Sequence, residues 1–261
     1  GATSSNTDQR RPLYPYFSQM TLVEPGDNSN YNALQITMER RFQKGFTILG
    51  NYTFAKSIDT SSYNKQTGQT VTDPFNRAFD RGVSDFDQTH IFNLSGLWDI
   101  PYRSNGRLAH AILGGWQLSG ILTLRSGEPF SVYSGSDNAY SGVGSDRADL
   151  VADPYLSGSR NRGARIDQYL NPAAFAPNAL GTFGNSGRNM FFGPGFASTD
   201  LSLEKTFYPV ERLGIQFRAD LFNTFNRVNL YNPVNTLGPT FMSINQAFDP
   251  RIFQFALRLK F

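Results

Sequence analysis

The sequence contains no cysteine. That excludes a disulfide framework and any thiolate chemistry. No stretch approaches the ~18 consecutive apolar residues of a membrane-spanning helix. A transmembrane barrel stays compatible with this, because it places its apolar surface on alternate residues and keeps mean hydropathy low. Lysine and arginine form no run. With 24 basic and 21 acidic residues the net charge is +3, too weak and too scattered to argue for a nucleic-acid partner. The opening "GATSSNTDQR" has neither the basic start nor the apolar core of a signal peptide. An exported chain would therefore be represented here by a mature form or a fragment. Charged residues make up only 17%, below the usual quarter or so.

What is present favours strands and turns. Aromatics reach 14%, with 23 Phe beside 24 Gly, and Ser, Thr, Asn and Tyr are prominent. Eight segments alternate apolar and polar residues with period two, the signature of a strand with one face of each kind. They fall near 17–24, 30–42, 46–57, 88–100, 115–127, 198–207, 212–225 and 251–261. The clearest include "NYNALQITMERRF", "GWQLSGILTLRSG" and the final "RIFQFALRLKF".

The connections alternate in length. Short ones follow the second strand ("QKG") and the sixth ("YPVE"), and a moderate one runs from Pro101 to Gly114. Long ones span 58–87, the stretch from Gly127 to Ala197, and 226–250; the short first connection, "PGDNSN", breaks the rule. A soluble sandwich has no reason to place its length on every second connection, whereas an outer-membrane barrel has short periplasmic turns and long extracellular loops. The expected fold is all-β: an antiparallel, up-and-down transmembrane β-barrel segment of about eight strands, forming a single region over 1–261. With the C-terminus taken as periplasmic, Phe42, Phe46, Trp98, Tyr102, Trp116, Phe207, Tyr208 and Phe261 all fall at periplasmic strand ends, where an aromatic girdle belongs. Two alternatives stay open on this reading: a self-contained small outer-membrane barrel with a structural or adhesive role, and a soluble β-sandwich binding module.

Several stretches carry a family resemblance. "SNYNALQITMERRFQKGFTILGNYTFAKSID" (29–59), "DRGVSDFDQTHIFNLSGLWDIP" (80–101), "LGGWQLSGILTLRSGEPFSV" (113–132), "NPAAFAPNALGTFGNSGRNMFFGPGFASTDLSLEKTF" (171–207) and "IQFRADLFNTFNRVN" (215–229) resemble, in order, the barrel of TonB-dependent outer-membrane receptors of the Oar-like group. The resemblance implies a barrel of about 22 strands around an N-terminal plug, located in the outer membrane and driven by TonB through a short box before the plug. The chain has no plug or TonB box and too few strands, so it resembles the C-terminal portion of such a barrel, taking up an unidentified substrate. The implied partners are outer-membrane lipid, the barrel-assembly machinery, and TonB by way of the plug. The resemblance also gives the last strand a role: Phe253, Phe255, Leu257, Leu259 and Phe261 match the alternating C-terminal signal read by that machinery.

Charged residues on the polar faces of the strands, Glu39, Arg41, Glu204, Arg218, Asp220, Arg258 and Lys260, would line the lumen. Arg41, Glu204, Arg258 and Lys260 lie toward the periplasmic side, where a plug could be contacted. In the longest loop, Asp137, Asp146, Asp149 and Asp153 offer oxygen ligands of the kind Ca²⁺ takes. Their spacing is not that of an EF-hand, and such residues are ordinary loop chemistry. A second group, Asp80, Arg81, Asp85, Asp87 and His90, reads as a salt-bridged strand entry more readily than as a hydrolase pair, since no Ser elbow precedes it. "ARIDQYLNPAAF" (164–175) reads as a loop helix or lid. No enzyme activity, cofactor or metal is expected.

Overall fold

The computed structural model describes residues 1–17, 25–43, 45–62, 71–73, 75–102, 106–142, 144, 146–210 and 213–261. Seven long strands dominate it: β1 (Ser29–Gln43), β2 (Phe46–Asp59), β3 (His90–Asp99), β4 (Trp116–Arg125), β5 (Phe196–Val210), β6 (Leu213–Phe222) and β7 (Ile252–Lys260). Each pairs antiparallel with the next in sequence, giving one meander. An eighth, two-residue strand, Gly82–Val83, pairs with the end of β2. Among the described residues the sheet is open, with β1 and β7 as its edges. The strand expected over 17–24 falls almost wholly outside the described residues. The other seven stand where the alternation places them, within two or three residues at each end.

The register sorts side chains into rows, because a period of two keeps one class of residue on each face. One row runs Phe46, Trp98, Leu118, Leu203, Ala219, Phe255 across six strands. Another runs Ile36, Tyr52, Phe92, Leu124, Ala197. The opposite face carries Thr37, Asn51, Asn93, Thr123, Ser198 and, further down, Asp99, Gln117, Glu204, Arg218. The apolar face is broadly open: Leu34, Ile36, Met38, Phe54, Trp98, Leu124 and the outward residues of β7 are all exposed. No second large sheet covers it among the described residues, so the sandwich alternative is set aside. No helix among them is long and apolar enough to cross a membrane.

The connections divide as expected. Those between β1 and β2, β3 and β4, and β5 and β6 lie at one end of the sheet, and the last residues of β7 share that end, Lys260 standing opposite Gly214. Gly45 closes the first turn at φ +77°, a conformation that side chains with a Cβ resist. The moderate β3–β4 connection holds a helix the alternation did not suggest, α1 (Arg107–Leu113).

The three long connections meet at the other end and fold into a cap. The apolar core of the molecule sits there and not in the sheet: Phe130, Val132, Leu170, Phe175, Phe191, Phe241 and Met242 are buried together. Phe175 meets Phe191 and Phe241 edge to face, at 5.4 and 5.5 Å between ring centroids. Tyr133 bridges to both Arg147 and Thr236, tying the 126–195 connection to the 223–251 connection. Backbones approach so closely that a Cβ on Gly184 would collide with the Arg147 carbonyl. The piece read as one helix over 164–175 is two short ones, α2 (Arg162–Asp167) and a 3₁₀ turn, Pro172–Ala174. Asn161 and Asn171 cap them separately, accepting from the amides of Ala164 and Ala173.

A charge on the two faces has unequal consequences. In a bilayer, Leu94→Arg is expected to cost about 2–4 kcal/mol, whereas Asn93→Arg on the polar face leaves stability nearly unchanged. Urea titration of the whole barrel that carries this chain, inserted in phospholipid vesicles, measures both.

Candidate functional site: the polar wall and its cap

The polar face forms an open trough of about 490 Å³ floored by Ser95, Ser119, Ser202, Arg218 and Asp220, with Leu97 and Ile121 among them. The seven charged residues expected on this face divide into two groups. Glu204, Arg218, Asp220, Arg258 and Lys260 lie together on β5–β7. Arg218 Nε donates to both carboxylate oxygens of Asp220, at 2.8 and 2.9 Å. Gln216 donates to Glu204, and Arg258 stands opposite Gln216 in the ladder. Glu39 and Arg41 sit on β1, at the far edge of the sheet, paired with each other at 3.3 Å and both exposed. One wall segment therefore carries a mixed-sign group that runs from Lys260 and Arg258 at its short-turn end to Asp220 nearer the cap, and an isolated pair across the trough.

Phe253, Phe255, Leu257 and Leu259 lie on the apolar face of β7, opposite Leu221, Ala219, Phe217 and Ile215, and Phe261 follows them, exposed. Among the expected girdle residues, Phe46 and Trp98 are direct cross-strand neighbours, and Tyr102, Phe207 and Tyr208 are exposed at the same end; the side chain of Phe42 lies outside the described residues. The structure adds a second aromatic group at the opposite end of the same face. His90 stacks on Tyr52 with ring centroids 6.2 Å apart, lies 5.2 Å from Phe54, and shares a 2.8 Å hydrogen bond with the Tyr52 hydroxyl. From Phe46 to Phe54 the strand covers about 27 Å, or about 21 Å along the membrane normal at a tilt near 40°. That matches the order of the ~25 Å apolar band of such barrels.

His90 therefore turns to the apolar face, away from the carboxylates that precede it in sequence. Those carboxylates bind the end of β2 and the cap instead. Asp87 accepts from the Ser57 amide at 2.6 Å and from Lys56 at 3.2 Å. Asp80 pairs with Arg147 at 2.7 Å, and Arg147 also donates to the carbonyls of Ser186 and Phe79. Arg188 pairs with Asp59 at 2.7 Å, both side chains only 3% exposed, and reaches Asp85 at 3.3 Å. Arg147 and Arg188 join segments far apart in sequence, and no local pattern in "GSDRADL" or "GNSGRNM" marks them. The only available hint is at Arg188, the single charged residue between Asp167 and Asp200.

The four loop aspartates do not converge. Asp137 caps a turn, accepting from the amides of Ser141 and Gly142. Asp146 is buried and accepts from the Ala139 amide and the Asn178 side chain. Asp149 and Asp153 each accept one backbone amide, from Asn185 and Tyr155. Among the described residues no group of three or more His, Asp or Glu is placed to hold a metal ion.

Removing Arg188 strands the Asp59 carboxylate without a counter-charge. Arg188→Ala is expected to destabilise the cap by about 3–5 kcal/mol, seen as a lower urea midpoint for protease cleavage within 126–195. Arg41→Ala, which breaks a solvent-exposed pair, is expected to change it by less than about 1 kcal/mol.

No curated protein and no solved structure matches the chain. A family model described as "outer membrane beta barrel domain" matches residues 1–254. That match fits the apolar face between two aromatic ends, the polar trough behind it and the alternating connections, and it locates the protein in the outer membrane: the chain belongs to the outer membrane beta barrel domain family.

Proposed function

We propose that this chain is the C-terminal wall of a TonB-dependent outer-membrane receptor, and that its polar face lines a lumen against which a plug domain docks. The observation that carries the proposal is the open sheet. β1 pairs only with β2 and β7 only with β6 among the described residues, and an unpaired strand edge in hydrocarbon leaves backbone groups unsatisfied. Further strands from a larger barrel would complete both edges. The resemblance of the stretches quoted above, in order along the chain, supports the same reading. On it the short turns are periplasmic, the cap faces outward, and substrate meets the cap before the trough.

In this proposal Glu204, Arg218, Asp220, Arg258 and Lys260 form the plug-facing contact, and Glu39 and Arg41 a second contact across the lumen. The outward row of β7, from Phe253 to Phe261, is the segment read by the barrel-assembly machinery. The role is transport, with no catalytic step and no bound cofactor. TonB would act through the plug.

In the receptor, Arg258→Glu with Lys260→Glu is expected to loosen the plug and reduce uptake. Protease protection of the plug and a TonB-dependent growth assay measure the two. Unchanged plug retention and uptake would end the lumen role. A gene product containing this wall but no plug would end the receptor reading. For the assembly row, Phe255→Asp is expected to slow insertion into the outer membrane, read as loss of the heat-modifiable gel band.

A further inference from the structure

Lys205 is anomalous. It lies on the apolar face of β5, in one row with Trp116, Phe217 and Leu257, and it is 4% exposed. A lysine on a lipid-contacting face is costly unless its donors are satisfied. Here its Nζ donates to the carbonyls of Ala111 and Ile112, at 2.5 and 3.0 Å, and lies 5.4 and 4.6 Å from the rings of Trp116 and Phe207. Trp116 Nε1 donates to the same Ile112 carbonyl at 2.9 Å. Those carbonyls belong to the last turn of α1, where the backbone lacks helical partners and carries the negative end of the helix dipole.

The arrangement pins α1 to the outside of the wall. A seven-residue helix is too short to persist alone in water, so this docking holds it. Its C-terminal end then presents Ile112 and Leu113, 61% and 50% exposed, at the same end of the sheet as the exposed rings of Trp98, Tyr102 and Phe207. Nothing else among the described residues covers them. Their position continues the apolar face at the level of its aromatic end, where the headgroup boundary of a bilayer begins.

We propose that α1 is a membrane-surface anchor: it lies against the short-turn side of the outer membrane, with Ile112 and Leu113 inserted at the boundary between phospholipid headgroups and acyl chains. Lys205 and Trp116 fix its depth by holding its C-terminal carbonyls. The inference requires only that the apolar face meets lipid, and is independent of TonB or a plug.

Because the chain has no native cysteine, single-cysteine labelling reads position directly. Ile112→Cys, Leu180→Cys in an exposed part of the cap, and Leu257→Cys on the apolar face of β7 would each carry an environment-sensitive fluorophore. Each substitution is made in the whole protein that carries this chain, with any cysteine elsewhere in it replaced, and the protein is inserted in phosphatidylcholine vesicles with acyl chains brominated near the headgroup. At position 112 the expected result is strong bromine quenching and a several-fold lower iodide quenching constant than at position 180. Iodide access equal to that of position 180 overturns the anchor. So does shielding from both quenchers, which would indicate a protein partner. If position 257 also escapes bromine, the wall assignment fails and the anchor with it. Quenching at 257 without quenching at 112 overturns the anchor alone.

Discussion

A strand that crosses hydrocarbon must satisfy every backbone donor and acceptor through its neighbours, since no water is present to do so. The seven-strand meander follows from that requirement. Each long strand is bonded to the one before and after it in sequence, and the fixed two-residue period of a strand then decides the chemistry of both surfaces at once. A one-residue shift of β5 against its neighbours would exchange Leu203 for Glu204 on the outer face. Register is thus enforced by lipid on one side and by the polar trough on the other.

Charge is placed to respect this constraint. On the apolar face of the sheet Lys205 is compensated by helix carbonyls, and Lys56, near the cap, by Asp87. In the cap, where there is a true interior, Arg147 and Arg188 are buried against aspartates with additional carbonyl acceptors. A buried ion pair of this kind adds little net stability over an apolar replacement but is costly to break. Its effect is to specify which loop segment meets which strand end, here Arg188 against the last residue of β2.

The wall was legible in the sequence because its signal is local. Leu34, Ile36 and Met38, or Leu118, Leu122 and Leu124, announce their shared face within a few residues, and the unequal connections announce which end they belong to. The cap was not. Phe130, Phe175, Phe191 and Phe241 lie in segments without periodicity, and their association depends on non-local packing that no short window contains. The same holds for Arg188 and Asp59. His90 groups with Asp85 and Asp87 in sequence, but strand alternation turns it to the other face. α1 was missed because a seven-residue helix inside a connection leaves almost no periodic trace; its position depends on Lys205 and Trp116, which belong to other elements. Of the charged residues on the polar face, alternation located each one, but the grouping of five on β5–β7 apart from Glu39 and Arg41 required the strand order.

The cap core draws Phe130 and Phe191 from one long connection and Phe241 and Met242 from another, and its ion pair at Asp80 draws on a third. The 126–195 connection supplies seven of the nine buried residues, and Phe241 and Met242 close over them. The three connections leave from the ends of β2 and β3, β4 and β5, and β6 and β7. Ladder hydrogen bonds join each strand only to its neighbours. The cap adds a clamp across the sheet, fixing the spacing of strand ends that never touch one another.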